Sequence, residues 1–175
     1  MANLKDLRLR ISSVKSTQKI TSAMKMVAAS KLRRAQTSAE EGRPYAERME
    51  RILGALTSSL TSLDGAPKLL AGNGASENHL VVAITADRGL CGGFNGSIVR
   101  NTTSKIIDLQ AEGKKVKLLC IGRKGHDALS HEFSNQIIST LEGLTKDGVN
   151  FAKTRDIASN LVKRFDAKEF DVCTI

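Results

Sequence analysis

From residue 3 to residue 39 the chain contains neither glycine nor proline, and Leu4, Leu7, Ile11 and Val14 follow one another at steps of three, four and three. That spacing predicts the apolar seam of a coiled-coil helix. Continued strictly, the seam would fall on Gln18, Thr21 and Lys25, whereas Ile20, Met24 and Val27 form a second seam one position out of phase. The stripe shifts in mid-helix, within the Ser/Thr-rich stretch 12–22, so packing there is expected to be looser or the partner to change along the length. Gly42-Arg43-Pro44 is expected to break or kink the helix, because proline lacks a backbone donor and clashes with the preceding turn. A second helical run, 45–60, carries Met49, Ile52, Leu53, Leu56 and Leu60 at helical spacing.

Asp64-Gly65-Ala66-Pro67 and Gly72-Asn73-Gly74 then mark a loop. These signals divide the chain into a coiled-coil shaft helix over 1–62, a linker over 63–78 and a separate domain over 79–175. In that domain short β-branched runs, at 79–85, 116–121, 136–140 and 170–175, alternate with helical patterns at 96–112, 124–131 and 150–166. The order β-α-β-α-β-α-β predicts the α/β class: a doubly wound, mainly parallel, Rossmann-like sheet whose useful surface is formed by loops at the carboxyl ends of its strands. The final run, Cys173-Thr174-Ile175, has no terminator. A strand cut short is expected, with the helix that covers the amino-terminal seam lying in the missing part.

Of the 175 residues 41% are hydrophobic but only 3% aromatic, with no Trp and a single Tyr45. The core must therefore be built from Leu, Ile, Val and Ala, and platforms for stacking nucleic-acid bases are scarce. The net charge of +9 is unevenly spread: nine basic residues against Asp6 alone precede residue 35, leaving the remainder close to neutral. Charge gathered on one element points to an acidic partner. At 1.5 Å per residue a helix over 3–36 would be roughly 50 Å long, which outgrows the domain attached to it. A long basic helix of this kind fits a solvated coiled coil, a nucleic-acid arm, a membrane-surface helix or a shaft inside an assembly. No apolar run approaches the roughly 18–20 residues of a membrane span. The charged start lacks a signal-peptide core, and although it has the Arg/Ser character of a transit peptide, the helical pattern continuing beyond it argues against removal.

Candidate chemistry is sparse. Cys91, Cys120 and Cys173 are widely separated and odd in number, which supports neither a disulfide framework nor a zinc site and fits a reducing cytoplasm. His79, His126 and His131 are scattered, and His126-Asp127 is better read as surface than as an acid/base pair. Residues 86–95 read as a glycine-rich turn at the carboxyl end of a strand, with Asn95 or Ser97 as helix cap. Phosphate-binding loops occupy such places, but neither G-x-G-x-x-G nor G-x-x-x-x-G-K-[ST] is present. No cofactor and no metal are expected.

Residues 11–35, ISSVKSTQKITSAMKMVAASKLRRA, resemble the signature of ATP synthase γ subunits, and residues 87–95, DRGLCGGFN, are similar to that family's loop after the first strand. Likeness extends through Gly122-Arg123-Lys124-Gly125 to the closing DVCTI. The resemblance implies a non-catalytic central-stalk rotor of an F-type ATP synthase, coupling transmembrane proton flow to ATP synthesis or hydrolysis. It implies contacts with the α and β subunits of the catalytic head, the ε subunit and the membrane c-ring. The subunit-contact residues it suggests are Lys19, Met24, Lys25, Arg33 and Arg34 on the helix and Asp87, Arg88, Gly89 and Cys91 in the loop. The family's carboxyl-terminal helix is missing from this sequence, and the starting Met without an extension resembles bacterial members, peripheral on the cytoplasmic face of the inner membrane. The rival from another class is a basic coiled-coil protein binding nucleic acid, which the clustered charge would equally serve.

Overall fold

The computed structural model describes residues 3–59, 66–144 and 148–175. The chain divides into two compact units, Met1–Asp64 and Gly65–Ile175.

Among the described residues the first unit holds a single helix, α1, Leu4–Ser59, with Pro44 inside it. The break expected at 42–44 is therefore not found, and the two runs separated in the sequence reading are one element. Leu60, assigned to the second run, lies outside the described residues. Proline removes one donor and displaces one carbonyl, here the amide that would bond to Glu40, but it leaves the propensity of the flanking turns intact. None of the helix's side chains is buried. Where the apolar stripe changes phase, Thr17 and Thr21 return their hydroxyls to the carbonyls four residues back, Ser13 at 3.0 Å and Thr17 at 2.8 Å. Hydroxyls satisfied in this way stay against the helix backbone. They line a shallow groove with Val14, Gln18, Ser22 and Lys25.

In the second unit a short helix α2, Lys68–Ala71, lies in what was read as linker, and residue 78 opens the first strand. Residues 63–65 of that linker lie outside the described residues. Strands β1 (Asn78–Ile84), β2 (Lys115–Ile121), β3 (Ile137–Leu141) and β4 (Val172–Thr174) alternate with α3 (Phe94–Ala111), α4 (Arg123–Phe133) and α5 (Phe151–Asp166). All four strands are parallel, in the order β3-β2-β1-β4, with β1 and β2 paired from Asn78↔Lys115 to Ile84↔Ile121. The last strand is shorter than the predicted 170–175, because Phe170 is drawn into the core, where its ring centroid lies 5.8 Å from that of Phe165.

A parallel strand covered on both faces reads as a continuous apolar run, which is why Leu80-Val81-Val82-Ala83 and Leu118-Leu119-Cys120-Ile121 show no alternation. Val81, Ala83, Leu118 and Cys120 face Ile106 and Leu109 of α3 and Leu129 and Phe133 of α4. Leu80, Val82, Leu119 and Ile121 face Phe165, Ile157 and Leu161 of α5. Each Val, Leu, Ile or Phe among them contributes about 1.5–3 kcal/mol when fully buried. Steps β1→β2→β3 run one way across the sheet and β3→β4 runs back past β1, so a consistently right-handed chain must place α5 on the face opposite α3 and α4. The direction of winding reverses between β1 and β4, which puts the loop following β1 at the switch point of the sheet.

Candidate functional site

At the carboxyl end of β1, Thr85 is buried and holds two neighbouring segments. Its hydroxyl lies 3.2 Å from the carbonyls of Ile121 and Gly122, and its oxygen accepts the amide of Gly125 at 2.8 Å. Gly122, at φ +96°, and Gly125 both sit so close to Thr85 that neither has room for a Cβ. The first turn of α4 therefore rests directly on the end of β1.

Asp87 completes that turn. One carboxylate oxygen accepts the amide of Arg123 at 3.1 Å, and the other accepts the amide of Gly143, on the loop after β3, at 3.0 Å. A helix begins with four amides that its own backbone cannot satisfy. At the start of α4 those of Gly122, Arg123, Lys124 and Gly125 go to the Leu141 carbonyl, Asp87, the Ala86 carbonyl and Thr85. A phosphate cradle needs such amides free and pointing at its ligand. Here a carboxylate of the same chain occupies the place, so this turn is a structural joint.

Neither Asn95 nor Ser97, the two caps the sequence reading offered, caps α3; Gly93 is the N-cap, and it makes no side-chain cap bond. The Asn95 amide turns inward to the loop instead. Its oxygen accepts the amide of Ala86 at 3.0 Å, and its nitrogen donates to the Arg88 carbonyl at 3.4 Å and to Cys91 Sγ at 3.1 Å. The loop between is thus tied at its start, middle and end to one side chain. Leu90, at its tip, has φ +62° and is fully exposed, at 106%. Sequence reasoning singled out Asp87, Arg88, Gly89 and Cys91 and passed over Leu90. An apolar residue ringed by three glycines was the available signal.

The other candidates lie on α1. Lys19, Met24, Lys25, Arg33 and Arg34 are all exposed, and no ion pair among the described residues involves the four cations. Arg33 and Arg34 border a second shallow groove with Ser30, Thr37 and Ser38. Of the remaining titratable groups, His126 Nδ1 stands 3.9 Å from an Asp127 oxygen on the exposed surface of α4. Burial pushes the Cys120 thiol up to about 11 and raises that of Cys173 as well.

The ATP synthase family model matches residues 3–175. The chain belongs to the ATP synthase family. Across its whole length it is 56% identical to the ATP synthase gamma chain of Paramagnetospirillum magneticum and 57% identical to that of Rhodospirillum rubrum. It spans 60% and 58% of the lengths of those two relatives. Among solved structures, a chain of the central stalk and c-ring of Tetrahymena thermophila mitochondrial ATP synthase superposes with a TM-score of 0.62 at 31% identity, over 83% of this chain and 59% of that one. A rotor chain of the Euglena gracilis mitochondrial enzyme, at 20% identity and a TM-score of 0.50 over 95% of this chain and 53% of that one, shares the fold. In this ATP synthase family member no described helix is long and apolar enough to cross a membrane.

Proposed function

We propose that this chain is the larger part of the γ subunit of an F-type ATP synthase: a central-stalk rotor that couples proton flow across a membrane to ATP synthesis or hydrolysis. The observation that carries the reading is its 56% identity, over every residue, to an ATP synthase gamma chain. In this reading α1 projects into a ring of alternating α and β subunits, and the sheet domain attaches to the ε subunit and the c-ring. The protein performs no chemistry itself and is peripheral, on the cytoplasmic face of a bacterial inner membrane.

The geometry supports a coupling role in two ways. A shaft shifts the conformation of a catalytic site only through contacts that differ among its orientations. A helix whose apolar stripe changes phase and whose cations, Lys19, Lys25, Arg33 and Arg34, are exposed presents unlike faces in different directions. Exposed ion pairs are worth about 0–1 kcal/mol, so contacts between these cations and acidic segments of the head can break and re-form as the shaft turns.

Reconstitution tests the reading. The full-length protein that contains this chain is mixed with α and β subunits, and assembly and ATP hydrolysis are compared with and without it. One copy per six large subunits, with increased hydrolysis, is the expected result. Failure to associate, together with salt-sensitive binding of nucleic acid, would replace the rotor with a phosphate-binding arm.

A further inference from the structure

The segment that leads into β1 is held by one carboxylate. Asp171, just before β4, accepts from Asn73 Nδ2 at 2.7 Å through one oxygen, and from the amides of Glu77 and Asn78 at 3.1 and 2.8 Å through the other. Asn73 is thus part of the tie between residues 73–78 and the start of β4. The chain has Asn followed by Gly at two places, Asn73-Gly74 and Asn95-Gly96. Glycine, having no side chain, leaves its own nitrogen open to the side-chain carbonyl of the residue before it.

The fold treats the two pairs differently. Asn95 lies in the first turn of α3, where a helical backbone turns the next nitrogen away from the side chain. Its amide is also bonded to Ala86, Arg88 and Cys91. Asn73 stands outside any helix or strand. Its Oδ1 accepts the Ala75 amide at 3.0 Å, so the side chain folds back over the Gly74 nitrogen that lies between. The same bond draws electron density away from Cγ. Gly74, at φ +79°, is exposed, and nothing stands within 4 Å of where a Cβ would be. An electrophilic carbon, a neighbouring nitrogen and open access for water meet at this turn.

We propose that Asn73 is a self-modification site, deamidated with water as the only co-reactant, and that the conversion releases the tie to Asp171. The Gly74 nitrogen bonds to Asn73 Cγ as the Cγ–Nδ2 bond breaks, and Nδ2 leaves as ammonia with the proton that the Gly74 amide gives up. Water then opens the cyclic imide at one of its two carbonyl carbons. One opening yields aspartate; the other yields isoaspartate, with the backbone routed through the side-chain carboxyl carbon. In either product the donor that met Asp171 at 2.7 Å is gone, and a second carboxylate has entered the clasp. Two like charges there repel. This chemistry does not depend on the rotor reading.

The full-length protein that contains this chain is incubated at mildly alkaline pH, folded and in urea, and peptides spanning 73 and 95 are resolved by mass and by their isoaspartyl content. Folded, residue 73 is expected to react about 10-fold faster than residue 95, or more. Urea, which removes the fold, should bring the two to comparable rates. Asn73→Asp should lower Tm at pH 7. Combined with Asp171→Asn, which returns a donor to the clasp, it should cost less than the sum of the two single changes. The site is overturned if residue 73 is silent in the folded protein, if residue 95 keeps pace with it, or if the preference persists in urea. The release is overturned if Asn73→Asp melts like the parent or if the double variant is additive.

Discussion

Asp87 accepts the backbone amide of Arg123 at 3.1 Å and so occupies the place at the start of α4 where nucleotide-binding sheets hold a phosphate. With its second oxygen on Gly143, it joins the loops after β1, β2 and β3 through one carboxylate. Replacing it with alanine leaves two amides without their partner and is expected to lower stability by about 1–2 kcal/mol. Arg88→Ala, next to it, should shift stability by no more than about 0.5 kcal/mol, since its side chain has no partner within the described residues. Urea denaturation of the two variants checks this; equal losses would remove the distinction between clamp and contact.

Gly122, just before α4, and Gly125, in its first turn, should fail differently. A Cβ at Gly122 would meet the Thr85 carbonyl oxygen and would hold a left-handed φ, whereas one at Gly125 would meet the Thr85 side chain, 2.6 Å from Oγ1 and 2.8 Å from Cγ2. Gly122→Ala is expected to cost about 3 kcal/mol or more, with no relief from trimming Thr85. Gly125→Ala should be partly rescued by Thr85→Ala, so that the double variant is less destabilised than the sum of the singles. Thermal melts of the parent, the three single variants and the two double variants with Thr85→Ala give the answer, and simple additivity for Gly125→Ala would count against the packing described.

At the opposite rim of the sheet, Asp171 accepts from Asn73 Nδ2 at 2.7 Å, from the amides of Asn78 and Glu77 at 2.8 and 3.1 Å, and from Asn78 Nδ2 at 3.1 Å. The Asn78 and Asn73 bonds lead in holding its carboxyl below the usual carboxylate range. A pKa depressed by folding stabilises the protein above the unfolded value, near pH 4, and that contribution is lost as pH falls through the folded value. Asp171→Asn should therefore lower Tm at pH 7, and the gap from the parent should close progressively below about pH 4. A gap independent of pH would mean that the clasp does not depend on charge.

The thiols provide a third kind of probe. Cys91 is exposed in the loop, while Cys120 is buried with its pKa near 11, leaving on the order of one thiolate per thousand at pH 8. Iodoacetamide at that pH is expected to modify Cys91 and to spare Cys120 until the sheet unfolds. Peptide mass mapping after graded urea treatment reads this directly, and early modification of Cys120 would show that the α3–α4 face opens below global unfolding.

Much of the architecture was legible because it is encoded locally. Runs such as Leu118 to Ile121 are too apolar and too short for anything but a strand covered on both faces, and Asn150 marks the start of α5 through its own oxygen, 2.8 Å from the Ala152 amide. What escaped was encoded at a distance. Asp87 finds its partners 36 and 56 positions along the chain, so no local pattern could distinguish a clamp from an exposed contact. Asn95 is a good cap by residue type, but the fold offers its amide three partners in the loop. At Pro44 the signal, read as a break or a kink, does not break the helix, which continues on both sides.

Pro44 leaves its mark on α1 even so. With no amide to give to the Glu40 carbonyl, the helix lacks one rung of its hydrogen-bond ladder at Pro44. A rod of about 84 Å, at 1.5 Å for each of its 56 residues, is then not uniformly stiff. A bending load applied at its ends concentrates curvature in the turn 40–44, so the helix flexes as two firm arms about one compliant joint.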